Sequence, residues 1–379
     1  MNKWGRSLIR DFQKSALILC SFLATLALAP TAGTAGLEEL LEPWPRSDAI
    51  SGIEGRDFSY PTLNPFTLND VGVRSAQSGF KPALAAPGPY AQSILFLPDE
   101  ASAETPVPAV VILHGAGGVL AARELTYARQ FAHIGMAALV IDVFASRRHL
   151  GGGFQERLMN VTESMAVADA YGGLRQLAAM PEIDPARIAL MGFSYGGMAT
   201  LIAAHAQVSE RYQEAFALDG DLGAEPLQFR AYVSFYAPCI AHFEDERSVG
   251  APVLMMWGTE DALIDEARCN EIADSLRNGG AEVTVLKFPD AHHQWDGGRQ
   301  VAWRAPRGLA ACDFRVKRSG TVLGKLNGTP FSLPMINPFT RKMILALCSD
   351  RDGYIIEADA SVRKQSNRAL GAFLWRALH

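Results

Sequence analysis

Ser194 has the sequence surroundings of a catalytic nucleophile. It stands between Gly192 and Gly196 in a Gly-x-Ser-x-Gly pattern, after the apolar run 188–191 and before a run of small residues. A strand that turns sharply into a helix strains the residue at the turn, and flanking glycines remove the clashes that side chains would cause there. The hydroxyl then projects at a helix N-terminus, where developing negative charge is favoured. The pattern predicts a nucleophile elbow at Ser194, with an ordinary glycine-rich turn as the alternative.

A serine nucleophile needs a base to take its proton and a carboxylate to orient that base. Asp261 follows the apolar run 253–256, and His293 follows the apolar run 283–287. The chain order nucleophile, acid, histidine is that of α/β hydrolases. An aspartate after a strand is by itself most often a helix cap. All three residues after successive strands, in this order, predict a catalytic triad.

The loop after another apolar run, 109–113, supplies candidate donors for an oxyanion hole. His114 is followed there by Gly115 and Ala116. A backbone N–H of Ala116 or Gly115 could join that of Tyr195 in stabilising a tetrahedral intermediate. We interpret His114, at the end of a buried strand, as a hydrogen-bonding residue that fixes this loop.

Apolar, β-branched runs alternate with helical patterns over most of the chain. The expected strands are 94–97, 109–113, 137–141, 188–191, 232–235, 253–256 and 283–286. The expected helices are 125–134, 162–180, 196–206 and 266–276. Strands this continuously apolar belong to a mostly parallel sheet with helices on both faces. The sequence predicts one α/β domain over 93–379, preceded by an arm at 36–92 that is rich in Pro, Gly and Ser.

The N-terminal residues 1–35 have the organisation of a signal peptide. A basic start precedes the apolar run 16–29, and small residues follow up to Ala35. The run is shorter than the roughly 20 residues that a membrane-spanning helix needs. We expect cleavage near Ala35, a periplasmic or secreted protein, and no stable membrane insertion after the signal is removed. A retained N-terminal anchor is the alternative.

Four cysteines remain after residue 35: Cys239, Cys269, Cys312 and Cys348. An oxidising compartment allows two disulfides among them, in three possible connectivities. Cys312 and Cys348 bracket a segment with few apolar clusters, so a bridge between them is plausible, and Cys239 with Cys269 is then the other pair. Four free thiols are the alternative.

Composition and charge exclude several classes of protein. With 35 basic and 40 acidic side chains the net charge is −5, which argues against nucleic acid as the partner. Hydrophobic residues make up 49% of the chain, as in a globular protein. The cysteine spacings do not match a metal site, and the sequence contains neither a Walker-type loop nor a dinucleotide fingerprint. We therefore expect no metal and no cofactor; the oligomeric state is not predicted.

Four segments resemble the dienelactone hydrolase family of the α/β-hydrolase fold. They are Ile112–Gly115, Gly192–Gly197, Gly258–Asp261 and Pro289–His293. The resemblance covers roughly residues 90–297 and the terminal helix 362–378. It implies a compact hydrolase without a large cap domain, acting on small esters or lactones. It also selects His293 over the adjacent His292, because the family's histidine is the second residue after the small residue of this loop.

The chain departs from that family in three ways. The dienelactone hydrolases proper have a cysteine nucleophile and a modulating glutamate, whereas this chain has Ser194 and no equivalent glutamate, which favours ordinary esters. The family's carboxylate-binding arginine is matched only out of register, by Arg147 and its neighbour. Arg147 and Trp295 are nevertheless the candidate substrate contacts. Residues 298–352 separate the histidine from the final helix as an insertion, which is a lid, a pocket rim or decoration.

Three functions are compatible with this sequence. The first is an exported serine esterase or lactonase that cleaves a small-molecule ester through an acyl-enzyme. The second is a serine peptidase of the prolyl-peptidase type, although the segment before residue 94 is too short for the propeller that such enzymes usually carry. The third is an inactive binding protein on the same fold.

Overall fold

The computed structural model describes residues 50–71, 90–218, 226–326, 329–333 and 337–379. The predicted signal peptide, 1–35, lies outside these residues, as do 36–49 and 72–89 of the predicted arm. None of the helices within the described ranges has the length and apolar character needed to cross a membrane.

The strands are named in chain order. They are β1 (Arg56–Pro61), β2 (Tyr90–Phe96), β3 (Val107–Leu113), β4 (Ala137–Asp142), β5 (Ile183–Phe193), β6 (Ala231–Phe235), β7 (Ala241–Phe243), β8 (Val253–Gly258), β9 (Val283–Phe288), β10 (Trp303–Ala305), β11 (Phe314–Val316), β12 (Val322–Leu326), β13 (Thr329–Leu333) and β14 (Tyr354–Ile356).

The α-helices are named in the same way. They are α1 (Thr126–His133), α2 (Phe154–Asn160), α3 (Glu163–Ala178), α4 (Tyr195–Ala203), α5 (Ala206–Phe216), α6 (Glu266–Asn278), α7 (Pro338–Cys348) and α8 (Ala360–Leu378). A π-helical turn, Ala121–Leu125, runs directly into α1.

Eight strands form the central sheet, in the order β1-β2-β4-β3-β5-β6-β8-β9. Pairing is parallel from β4 to β9, whereas β1 and β2 are antiparallel to their neighbours. All residues of β3 are buried, because helices cover both faces. Its Val111 packs in the core shared with α3 and α4, and Val110 packs in the core shared with α1 and α8. The predicted α/β-hydrolase fold is confirmed.

Strand β1 comes from the predicted arm and extends the edge of the sheet, which the sequence did not indicate. Its Tyr60 is buried, and the Tyr60 hydroxyl donates to the carbonyl of Asp169 in α3. Near it, buried Arg147 makes two short contacts with the Asp169 carboxylate, of 2.6 and 2.8 Å, and also donates to Asn64 Oδ1. Because a charge so far from water needs a partner, this pair ties the segment around Asn64 to the domain.

Residues 298–352, the predicted insertion, contain regular structure in their described part. Its strands β11, β12 and β13 form a small second sheet with β7 of the domain, and its β10 pairs with β14, which follows the insertion. Helix α7 is tied to α3 by a two-pronged ion pair between Arg341 and Glu163, with distances of 2.8 and 2.9 Å. The insertion is therefore packed against the domain at several points.

Two disulfides are present among the described residues. One joins Cys312 to Cys348 and the other joins Cys239 to Cys269. The first closes the insertion upon itself, and the second connects the segment before β7 to α6. This connectivity is the one that the sequence made plausible.

Candidate active site

Strand β5 passes into α4 through a single residue, Ser194, whose φ is 52° and ψ is −111°. This backbone conformation is strained for a residue with a side chain. The neighbouring glycines are required sterically: a Cβ on Gly192 would lie 2.1 Å from the carbonyl oxygen of Gly196, and one on Gly196 would lie 2.4 Å from that of Leu113. The strand-to-helix turn thus has the geometry expected of a nucleophile elbow.

The loops after β8 and β9 bring Asp261 and His293 to this serine. Ser194 Oγ lies 2.9 Å from His293 Nε2, and His293 Nδ1 lies 2.6 Å from Asp261 Oδ2. A carboxylate only accepts hydrogen bonds, so Nδ1 carries the ring proton and Nε2 accepts from the serine hydroxyl. Asp261 Oδ1 accepts from the N–H of Leu263, which fixes the carboxylate. The imidazole is therefore held in the tautomer that a general base needs.

The adjacent histidine, His292, has different surroundings. Its ring is partly exposed, with Nδ1 3.2 Å from the carbonyl oxygen of Glu260 and Nε2 3.9 Å from Glu357. Of the two histidines, the structure brings His293 to Ser194.

His114 orients the loop that follows β3. Its Nε2 accepts from the N–H of Val143 at 3.1 Å, so Nδ1 carries the proton and donates to the carbonyl of Gly115 at 2.7 Å. Burial lowers the pKa of His114, which keeps the ring neutral. Gly118 N–H donates to the same carbonyl. Because C=O and N–H point in opposite directions across a trans peptide, the N–H of Ala116 faces away from these donors.

Ala116 and Tyr195 both line the cleft at Ser194. Gly115 lies against the serine: a Cβ at Gly115 would be 3.6 Å from Ser194 Cβ and 3.0 Å from Arg123 Nη2. A side chain at Gly115 would therefore crowd the loop beside the nucleophile.

A buried polar cluster, unanticipated from the sequence, lies behind the histidine. Tyr236 follows β6 with a φ of 37°, and its ring centroid is 4.8 Å from that of His293. The Tyr236 hydroxyl donates to Asp296 at 2.5 Å and accepts from Arg123, which pairs with Glu124 at 2.6 Å. Burial raises the pKa of Asp296. These residues are far apart in the chain, and no pattern within one segment marked them as partners.

One wall of the cleft at Ser194 comes from residues that sequence analysis did not place at the site. The volume of the cleft is about 1880 Å³; the insertion contributes Trp303 and Phe339 to it, and β14, directly after the insertion, contributes Tyr354. The Tyr354 ring contacts that of His293 edge to face, with centroids 5.0 Å apart. The strand that follows the insertion therefore reaches the proposed base itself.

Two expected substrate contacts are wrong. Arg147 is fully buried in its pair with Asp169, and Trp295 is fully buried with its indole N–H donating to Ser366 Oγ at 3.0 Å. Neither side chain lines the cleft. The charge of Arg147 is neutralised inside the domain, and the ring of Trp295 packs between the sheet and α8.

Within the described ranges, no group of three or more His, Cys, Asp or Glu side chains comes together in a way that could hold a metal ion.

Residues 92–297 match the sequence profile of the dienelactone hydrolase family. This match covers more than half of the chain. The chain belongs to the dienelactone hydrolase family. It is therefore a hydrolase, and the matched region contains the elbow, Asp261 and His293.

Several solved structures resemble the chain distantly. One is a dienelactone hydrolase-like promiscuous phosphotriesterase from metagenomic libraries, at 18% identity and a TM-score of 0.48, covering 86% of this chain and 100% of that one. Another is a thermophilic esterase from Thermogutta terrifontis, at 19% identity and a TM-score of 0.41, covering 54% and 80%. None of the curated proteins matches the chain.

Proposed function

We propose that this dienelactone hydrolase family member is a serine esterase that cleaves carboxylic esters, or lactones, through an acyl-enzyme. The observation that carries the proposal is the continuous chain from Ser194 Oγ through His293 to Asp261, at 2.9 and 2.6 Å, starting from a strained elbow. Nucleophile and base within hydrogen-bond reach, with the base oriented by a third group, are the geometric requirements for covalent catalysis.

The reaction proceeds in two half-steps. Ser194 Oγ attacks the ester carbonyl carbon while His293 Nε2 takes the hydroxyl proton, and the carbonyl oxygen becomes an oxyanion. Collapse of this intermediate breaks the bond to the alcohol oxygen, which receives the proton from His293. Water then attacks the acyl-enzyme with His293 again as the base, and the acid leaves as Ser194 recovers its proton. Asp261 stabilises the imidazolium that forms in each half.

The oxyanion is bound by the backbone N–H groups of Ala116 and Tyr195. Two features support this assignment. Tyr195 is the first residue of α4, where N–H groups have no partner within the helix, and the carbonyl of Gly115 is held on the opposite side of its peptide from the Ala116 N–H. The N–H of Gly115 is the second candidate on this loop.

The proposal includes export. Residues 1–35 act as a cleaved signal, 36–92 as an arm, and 93–379 as the catalytic domain with an insertion at about 298–352. The two disulfides support an oxidising compartment.

A hydrolysis panel with an active-site probe tests the function. We expect cleavage of 4-nitrophenyl esters and of a lactone but not of a prolyl amide, and labelling of Ser194 by a fluorophosphonate, located by peptide mass spectrometry. The Ser194→Ala variant should lose the label, whereas Ser349→Ala, at another serine that lines the cleft, should keep it. Cleavage of the prolyl amide alone would favour the peptidase, and no turnover or label would favour a binding protein.

A further inference from the structure

The cleft at Ser194 is larger than a small ester requires. Its volume of about 1880 Å³ exceeds the roughly 300–1,000 Å³ of pockets for small molecules. One wall belongs to the domain, with Met198 and Ile202 on α4. The other belongs to the insertion, with Trp303, Phe339 and Leu345. The space between the walls is therefore bounded mainly by apolar side chains.

The mouth of the cleft exposes large apolar side chains to solvent. Phe154 is 50% exposed, Val301 is 77% exposed and Phe339 is 72% exposed, and all three line the cleft. They come from three separate segments of the chain. Large apolar side chains exposed along one cleft mark a binding groove more often than scattered apolar residues do.

Four cationic side chains line the cleft, Arg299, Arg307, Arg341 and Lys342, and the first and third of them have partners within the protein. Arg341 is neutralised by Glu163, and the guanidinium of Arg299 lies over the ring of Trp303, 5.3 Å from its centroid. Both guanidinium groups already have partners within the protein, so neither requires an anionic substrate.

The insertion wall leads directly into β14, which is bound to the loop of the proposed base. The N–H of His293 donates to the carbonyl of Ile355 at 3.1 Å, and the N–H of Glu357 donates to the carbonyl of His293 at 3.2 Å. With Tyr354 against the imidazole, this wall keeps a fixed position relative to the reacting atoms.

We propose that the substrates are esters with a long apolar chain, which lies between α4 and the insertion. This inference rests on the proposed esterase function. The apolar chain leaves water for a surface that is already apolar, and each buried methylene adds to binding. Short esters fill only the part of the cleft next to Ser194.

The chain-length dependence of kcat/KM tests this substrate class. From 4-nitrophenyl acetate through butyrate to decanoate, each below its aggregation concentration, we expect a rise of about tenfold or more. In Phe339→Ser, the kcat/KM for the decanoate divided by that for the acetate should fall about fivefold. Val301→Ser, which lies outside α7, should also lower this ratio. Leu347→Ser, at an exposed residue of α7 that does not line the cleft, should leave the ratio unchanged. A ratio that falls with chain length in the wild type would overturn the inference.

An unreactive ligand separates this inference from the proposed function. Decyl 4-nitrophenyl ether should bind the wild-type protein in calorimetry, and bind more weakly to Phe339→Ser than to Leu347→Ser. Hydrolysis of short esters without ether binding would refute the long-chain substrate and leave the esterase intact. Ether binding without hydrolysis of any ester would refute the esterase.

Discussion

The carboxyl edge of the central sheet and the insertion form the two sides of one cleft, but they are built differently. At the sheet edge, Ser194, Asp261 and His293 each follow a parallel strand of the central sheet by a few residues. The insertion consists of short strands and one helix; a disulfide closes it upon itself, and the pairing of β11 with β7 and the Arg341–Glu163 pair attach it to the domain.

We therefore expect the sheet edge to carry out the reaction and the insertion to select the substrate. A parallel sheet buried on both faces fixes the positions of its strand ends to the precision that proton transfer requires. A segment with little core of its own depends on individual anchors, and it forms a wall whose shape sets what fits beside the reacting carbonyl. If this division holds, substitutions of the catalytic residues at the sheet edge should change turnover far more than substitutions in the insertion.

Loss of the nucleophile should have the largest effect. Ser194→Ala should lower kcat for 4-nitrophenyl butyrate by at least about 10⁴-fold, because the acyl-enzyme cannot form. Circular dichroism should show an unchanged fold. Ser349→Ala, on the insertion side of the same cleft, should retain activity within a few-fold. Comparable losses in both variants would mean that the chemistry is not confined to the sheet edge.

Substitution of the two adjacent histidines should have very unequal effects. His293→Ala should reduce kcat/KM by about 10³-fold or more, since the base is removed. His292→Ala should change it by less than about tenfold, or about 1.4 kcal/mol, because its ring contacts Glu260 instead of Ser194. Steady-state kinetics of the two variants checks this, and the reverse ranking would exclude His293 as the base.

Removal of each disulfide should lower stability by a similar amount, but the two removals should differ in their effect on proteolysis of the insertion. Loss of either should cost roughly 3–4 kcal/mol in the chain-entropy model, for loops of 36 and 30 residues. Removal of the Cys312–Cys348 bridge with paired serines should in addition speed proteolytic cleavage between residues 306 and 350, because this bridge closes the insertion upon itself. The same change at Cys239 and Cys269 is the matched control. Equal cleavage rates in the two variants would show that the insertion does not depend on its bridge.

A buried histidine near the junction of the two regions should make stability depend on pH. His205 packs against Phe243 of β7, and burial, with a smaller contribution from His242 opposed by Asp245, lowers the pKa of His205 to about 4. The unfolded chain therefore binds this proton first as the pH falls, so the contribution is complete above pH ~6.5 and is lost towards pH ~4.

Denaturant titrations at two pH values measure this contribution. Between pH 7 and 4.5, the free energy of unfolding should fall by about 2–3 kcal/mol less in His205→Asn than in the wild type. His149→Asn, at an exposed position, is the control. An identical pH dependence in His205→Asn and the wild type would contradict the assignment.

Features of this protein that depend on residues close together in the chain could be predicted before the structure was known. Continuous apolar runs marked the strands of the parallel sheet because both faces of that sheet are covered. Gly192 and Gly196 marked the elbow around Ser194 because only glycine fits where backbones come this close. The order of the loops then predicted that Asp261 and His293 would lie beside the serine, since the carboxyl ends of parallel strands share one edge.

Which polar and aromatic residues face the cleft depends on contacts between segments that are distant in the chain. Arg147 and Trp295 carry no local mark of burial, yet both are enclosed by segments distant in the chain. The same holds for Arg123 and Tyr236, which meet across 113 residues. The position of the insertion wall was also set by such contacts. Their energies depend on what packs around each group, and neither spacing nor composition within one segment encodes that environment.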